Sequence, residues 1–498
     1  MNWLNVLLFL PLLAAIVMFL AGRLVKNDNV LRGLALALSL LPLAVNLLIM
    51  AGYAYNAASG EFQYYTTLDW IAAFGITYTV GLDGLSLPLV FLTSLLTPLV
   101  VLVSFDEHKK LGAYFGLLFL LECGLFGVFA ALDFFLFYLF WEVVLIPMYF
   151  LILGWGGPRR RYAAIKFFVY THMASLVMLV GFFAIFFNAE TQLGYYTFNM
   201  CEIMAGVQFA PGLQYLIFLA LFFGFAVKMP TVPFHTWLPD AHVEAPTGGS
   251  VFLAAVMLKM GGYGLVRIAF GMFPAAAVHY AIPMAVLGII SMLWAALLAL
   301  AQDDLKKMIA YSSVSHMGLM LFGLAMLQER AFNGAVVQMF AHGLISAMLF
   351  MCCGILQHSV GTRRIGDLGG VANVLPRLSA LTVFTFFASI GLPGLLGFIP
   401  EMMVFLGAFS VHKVLTVIAM LSMILTAAYY LWALERAYFG SASRDLIEKQ
   451  PYDIRWFQTA PLLVLGVLVL LLGIYPAPLT DIVSQGTAYI INALGGVF

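Results

Sequence analysis

The sequence predicts an all-α polytopic membrane protein of about fourteen transmembrane helices. It further predicts two inverted five-helix repeats in which helices 7 and 12 are interrupted. Three observations carry this reading. Of 498 residues, 63% are hydrophobic and 9% charged, whereas soluble domains carry about 25% charged residues. Basic residues alternate between successive loops. Helix breakers interrupt two apolar runs at matching places in the two halves.

The same composition excludes other classes. Lys plus Arg is 23 and Asp plus Glu is 23, so no excess positive charge invites nucleic acid. Cys123, Cys201, Cys352 and Cys353 form neither a CxxC pair nor a metal-ligand spacing, so iron–sulfur and zinc sites are not indicated. They read as small packing residues. Positive charge follows the first apolar run rather than preceding it, the pattern of a retained helix and not of a cleaved signal.

In chain order the apolar runs place spans near 3–22, 30–52, 84–104, 112–131, 133–154, 162–187, 212–230, 248–270, 278–300, 306–326, 332–357, 378–409 (interrupted), 414–435 and 457–475. Connections are short except near 53–83, 188–211 and 436–456. The first of these, with Tyr64, Tyr65, Trp70 and Tyr78, reads as an interfacial aromatic segment. Loops after odd-numbered spans carry Arg23, Lys26, Arg32, Lys109, Lys110, Arg159, Arg160, Arg161, Lys166, Lys306, Lys307, Arg363, Arg364, Arg377, Arg436, Arg444, Lys449 and Arg455. The opposite loops carry only Arg267, Arg330 and Lys413. By the positive-inside rule the basic loops face the cytoplasm and both termini the outer side of a cell inner (cytoplasmic) membrane.

The repeat has an offset of about 170 residues. Span six reads KFFVYTHMASLVML and span eleven VQMFAHGLISAMLF, which aligns His172 with His342. Span seven reads FFGFAVKMPTVPFHTWLP and span twelve FFASIGLPGLLGFIPE. Both begin Phe-Phe and break at a Pro-rich centre. Spans four to eight and nine to thirteen therefore form two units, and an odd helix count inverts the second. The expected division is 1–110, 111–272, 273–440 and 441–498. Interrupted helices at matching positions point to an ion or substrate site near the bilayer midplane.

Ionisable residues inside apolar spans are expensive, and each is a candidate functional group. Glu142 lies in LFYLFWEVVLIPMYFL, Lys228 ends the run before Pro230 and Pro233, and Lys259 lies in span eight. His316 lies in span ten, His342 in span eleven and Glu401 beside the break of span twelve. A Glu142–Lys228 pair alone could be static packing. Lys259 argues against that, because one glutamate cannot neutralise two ammonium groups, and a buried lysine beside a like charge can gain and lose a proton near neutral pH. His316 and His342 read either as core histidines or as relay groups; His172 has the repeat-equivalent place. His235, Asp240, His242 and Glu244 cluster in the turn after span seven. Metal binding, proton uptake and plain turn chemistry all fit that turn, although Pro239 and Pro246 interrupt any regular ligand geometry. Asp303, Asp304, Lys306 and Lys307 read as a snorkelling, orientation-setting cluster at a span edge.

At these residues the chain resembles the proton-pumping antiporter-like subunits of complex I-type oxidoreductases, of the M type that corresponds to the mitochondrial ND-type subunit four. The motifs are FWEVVLIPMYFLILGWGG, AVKMPTVPFHTWLPDAHVEAPTGGSV, LKMGGYGLVR, DDLKKMIAYSSVSHMG, MFAHGLISAMLF and GLPGLLGFIPEMMVF. Glu401, where sister subunits have lysine, favours the M type. IPEMMVF departs from the more usual Gly-Glu-Phe and puts only the local break geometry in question. The chain is also similar to the matching subunit of F420H2 dehydrogenases and to multisubunit sodium/proton antiporters.

The resemblance implies that quinone or methanophenazine reduction elsewhere drives proton export through a relay. Glu142 modulates Lys228, which hands protons to Lys259 and on through His316 and His342 to Glu401. It implies no cofactor on this chain, with quinone, flavin and iron–sulfur clusters on partner subunits. The expected partners are L-type and N-type antiporter-like subunits, the quinone-site and peripheral redox subunits, and the lipid bilayer. A stand-alone cation/proton antiporter subunit is the alternative.

Overall fold

The computed structural model of the chain describes residues 2–55, 60–442, 444–449 and 451–495. Residues 443, 450 and 496–498 of the expected last segments lie outside the described residues, as do 56–59 of the first long connection. The first helices are α1 (Trp3–Leu24), α2 (Asp28–Gly52), α3 (Leu87–Val103), α4 (Leu111–Ala130), α5 (Phe134–Trp155) and α6 (Arg160–Leu193). A short α7 (Met200–Gly206) leads to α8 (Pro211–Lys228) and α9 (Trp237–Glu244). The next span, Thr247–Phe270, comprises α10 (Thr247–Phe252), a π segment (Leu253–Met257), α11 (Leu258–Gly264) and a second π segment (Leu265–Phe270). Then come α12 (Pro274–His279), α13 (Ala281–Leu300), α14 (Leu305–Ala325) and α15 (Glu329–Val360). The chain finishes with α16 (Val371–Val374), α17 (Pro376–Ile390), α18 (Phe398–Val411), α19 (Lys413–Ala433), α20 (Arg444–Lys449), α21 (Trp456–Ile474) and α22 (Ala477–Gly495).

Among the described residues, 13 helices are long and apolar enough to cross a membrane. The remaining expected span is divided into α17 and α18. Helix starts follow local chemistry. Asn2, Asn27, Asp133, Asn199, Asp304 and Gln328 accept hydrogen bonds from backbone N–H groups of the first turns they precede. Proline opens α8, α12 and α17, where its missing N–H costs nothing. The Thr247–Phe270 span and the apolar middle of Glu329–Val360 are buried, and α14 nearly so. Around them α1, α2, α6 and α19 leave apolar faces outward, with Leu13, Leu47, Val180 and Ile424 exposed. Such faces suit lipid. The ionisable residues of the central helices are thus screened from lipid by a ring of apolar ones.

Three features depart from the sequence reading. The 53–83 connection is not merely interfacial: it folds into an antiparallel hairpin, β1 (Gln63–Ile71) with β2 (Ile76–Leu82), in which Thr67 faces Thr79. Gly75 makes its turn at φ +63°. Asp133 fastens it by accepting from Thr77 N–H at 3.0 Å while capping α5. Second, the tail after span fourteen forms α22, packed on α12 and α15. Third, Lys306 does not snorkel. It is buried and donates to the Ala245 carbonyl at 2.6 Å, because Asp304 caps α14 and is itself taken by Arg363 at 2.6 Å. The β-branched, alternating stretch YYTTLDWI…ITYTVGL was the available signal for the hairpin.

Candidate functional site: a buried polar row

Glu142 on α5 is not bare. His172 Nδ1 lies 2.8 Å from one carboxylate oxygen, and the Ser175 hydroxyl donates to the other. Both partners come from α6, one turn apart, so α6 presents a two-point cradle. Lys228 is not in direct contact with Glu142. Its Nζ has no hydrogen-bond partner and lies 5.6 Å from the ring centroids of both Trp141 and Phe167. Aromatic faces hold a cation electrostatically in place of an anion. Glu142 acts on it through space as the neighbouring charge.

Lys228 is the last residue of α8, and the broken backbone beyond it is accounted for. The Ala226 carbonyl accepts from the Thr231 N–H at 3.0 Å and the Val227 carbonyl from Trp237 Nε1–H at 3.0 Å. Val232 N–H donates to Ser291 Oγ at 3.0 Å. Pro230 and Pro233 end the helix, and threonine, tryptophan and serine side chains satisfy what the break exposes. Close approach of α11 depends on Gly261, where a Cβ would collide with the Phe225 carbonyl and Met229 N.

Lys259 is fully buried on α11. Its ammonium donates to the Ala254 carbonyl at 2.6 Å and contacts His342 Nδ1 at 2.7 Å. The Ala254 carbonyl belongs to the π segment, whose wider turn alters the regular helical ladder. The His342 and His316 ring centroids are 5.5 Å apart. His316 lies between Gln338 Nε2 at 3.3 Å and Ser389 Oγ at 3.4 Å. Ser389, Tyr430 and Ser312 continue as a hydroxyl chain at 2.9 and 3.0 Å.

Glu401 completes the row. It is buried at the start of α18, and one carboxyl oxygen has no partner. Gly391, at φ +85°, ends α17 and leaves the space that this carboxyl fills; a Cβ there would strike it. A cavity of about 10 Å³ is lined by His316, Gln338, His342, Ser389 and Glu401. That is room for about one water. The backbone between the helices is again satisfied: Leu392 N–H reaches the Phe387 carbonyl at 3.1 Å, and Leu396 N–H the Val469 carbonyl at 3.0 Å.

The turn after Lys228 divides by role. Asp240 pairs with Lys166 at 2.7 Å and with the exposed Arg159 at 3.8 Å. Glu244 accepts from Arg159 N–H at 2.8 Å. His235 is buried against Tyr311. His242 is fully buried, stacks on Phe350 at 4.4 Å, and has no partner for either nitrogen. Lys259 and Lys306 are the charged groups that act on it. The structure therefore collects Glu142, His172 and Lys228 at one side, Lys259, His342 and His316 centrally, and Glu401 at the other. Sequence reasoning passes over Gln338, Ser389, Tyr430 and Ser312, since neutral polar residues within helices carry no distinctive pattern. It also passes over Glu122, a carboxyl in FLLECGLFGVF whose signal equals that of Glu142.

Known proteins share this arrangement of helices. Residues 131–426 match the family described as NADH:quinone oxidoreductase/Mrp antiporter, TM. The chain is 41% identical to F(420)H(2) dehydrogenase subunit M of Methanosarcina mazei, over 99% of both chains. It is 39% identical to NADH-quinone oxidoreductase subunit M of Rhodobacter capsulatus, over 99% of this chain and 96% of that one. Among solved structures it is similar to a chain of respiratory complex I from Thermus thermophilus, with a TM-score of 0.88, 28% identity and full coverage of both chains. A chain of the Mrp complex from a Dietzia species shares the fold at a TM-score of 0.85 and 19% identity. The chain belongs to the NADH:quinone oxidoreductase/Mrp antiporter transmembrane family.

Proposed function

We propose that this chain moves protons through the bilayer as the M-type membrane subunit of a complex I-type oxidoreductase. The observation that carries this is the row of ionisable side chains that runs from the half-buried Glu142 through the buried Lys228, Lys259, His342 and His316 to Glu401, inside spans where an isolated charge is strongly disfavoured. Its relatives are subunits of NADH-quinone and F(420)H(2) oxidoreductases. It is accordingly a multi-pass membrane protein of a respiratory complex and works with other membrane subunits.

In the proposed relay, Glu142 holds His172 and sets the field at Lys228. Lys228 passes its proton to Lys259, which hands it through His342 and His316 to Glu401. The Lys259–His342 contact at 2.7 Å supports that step directly. The gap between Lys228 and Lys259 needs water or side-chain motion, a step to which this reading assigns the buried His235 and His242. Quinone, flavin and iron–sulfur groups belong to companion subunits in this reading. So does the driving reaction, whose electron donor is the property of those subunits. The L- and N-type subunits are its proposed neighbours. The basic loops are assigned to the cytoplasm, both termini to the outer side, and residues 111–272 and 273–440 to two repeats of opposite orientation.

The test is Lys228→Ala in the assembled complex, reconstituted in vesicles with its electron donor. Loss of proton translocation is expected. Unchanged translocation per electron would refute the relay. A stand-alone cation/proton antiporter predicts instead that the purified native protein lacks redox companions.

A further inference from the structure

A carboxyl at the interface of α3 and α4 stands outside the row. Glu122 is fully buried, and neither of its oxygens has a hydrogen-bond partner. No ion pair engages it among the described residues. At about 1.5 Å per residue it lies about 17 Å into α4, near mid-span. A bare carboxylate there is strongly disfavoured, so the group holds a proton or a cation.

The surroundings favour a proton. Thr97 of α3 is the side chain that acts on Glu122, and its hydroxyl already donates to the Thr93 carbonyl at 3.0 Å. One hydroxyl and one carboxyl are too few oxygens for a cation, which takes at least about six when it is calcium or magnesium. On α4, Tyr114, Leu118 and Glu122 follow at four-residue spacing and share a face. Thr97 on α3 and Ser104, the residue that caps its C-terminus, are seven residues apart, about two turns. The two helices meet at the basic-loop end, where the Tyr114 and Ser104 hydroxyls are 3.0 Å apart. Both line a cavity of about 280 Å³ whose walls include Asp106, Glu244, Lys306 and Arg363. From this polar basin to Glu122 is about 12 Å along α4, with Leu118 between. Deeper in, α3 abuts the Lys259 segment: Leu92, beside Thr93, and the Ala255 carbonyl both press on Gly343.

We propose that Glu122 is an additional proton-binding site, loaded from the basic-loop cavity past Tyr114 and Thr97. Tyr114 and Thr97 are positioning residues that carry the proton inward, and Leu118 is the apolar barrier between them and the carboxyl. The assignment goes beyond the relay and does not require it: the carboxyl would load even in a protein whose Lys228 is silent.

Infrared difference spectroscopy on the purified complex, cycled between two pH values in water and in deuterated water, tests it. A protonated-carboxyl carbonyl band that shifts on deuteration should appear in the parent and in Lys228→Ala. It should vanish in Glu122→Gln and move in Glu122→Asp. Tyr114→Phe should keep the band and slow its deuteration several-fold, a readout that a merely structural tyrosine would not move. If Glu122→Gln prevents assembly, Glu122→Asp and Tyr114→Phe decide the matter. A band unchanged in Glu122→Asp overturns the proposal, and so does a band that responds to sodium concentration but not to pH.

Discussion

Gly391 offers a sharp perturbation of the far end of the row, with Gly394 as its internal control. Both adopt left-handed backbone, at φ +85° and +92°. Alanine at either position therefore meets the same backbone cost, about 1–2 kcal/mol. Only at 391 does the added Cβ run into a neighbour, the Glu401 carboxyl; a Cβ added at 394 meets nothing within 4 Å. Overpacking of this kind adds about 1–3 kcal/mol. It also pushes Glu401 away from the small cavity it shares with His316 and His342. Thermal unfolding of the complex should show Gly394→Ala mildly destabilised and Gly391→Ala more so, by about that overpacking difference. In vesicles, Gly394→Ala should translocate protons as the parent does, and Gly391→Ala should translocate markedly fewer per electron. Equal translocation by the two variants would refute the idea that the carboxyl's place, set by Gly391, matters.

Other expectations concern what holds the row in place. Trp237→Phe leaves the Val227 carbonyl unpaired beside Lys228 and should cost about 1–3 kcal/mol, read as a lowered unfolding temperature. Asp83→Asn weakens a buried pair with Arg267, now 2.5 Å apart. Since breaking such a pair costs about 3–5 kcal/mol, and Arg267 also donates to Tyr489 of α22 at 2.8 Å, amide exchange in 477–495 should accelerate. Ser175→Ala removes a hydroxyl partner of Glu142 and should lower the rate of proton translocation while leaving assembly intact. His342→Ala takes from Lys259 its imidazole partner and should be more damaging than His172→Ala.

Much of this site is legible as charge out of place. Glu142, Lys228, Lys259, His316, His342 and Glu401 each interrupt an apolar run, and only a packed interior tolerates that. The breaks at Lys228 and Gly391 are also legible, because proline and glycine cannot continue a helix without cost. What the sequence conceals is which partner each charge meets. A Glu142–Lys228 contact is the natural expectation from charge alone. The fold instead gives Glu142 a histidine and a serine, and Lys228 two aromatic faces. The π segments around Lys259 are invisible for another reason: LAAVM and LVRIAF have no residue that forbids an ordinary helix, so tertiary packing decides. Lys306 reads as a surface lysine by its place at a helix start, yet the Ala245 carbonyl draws it inward. The β-hairpin and α22 lie outside the runs of hydropathy that define spans, and their periodicities are weaker than those of the spans.

The most direct test of the relay is the number of protons translocated per electron pair by the complex carrying Lys259→Met, measured in sealed vesicles alongside electron transfer. Lys259 is the point where the two halves of the row meet, bonded to His342 and cradled by the π segment. The account predicts that the assembled variant loses proton translocation and that its electron transfer slows with it. Translocation and turnover both equal to the parent's would contradict it.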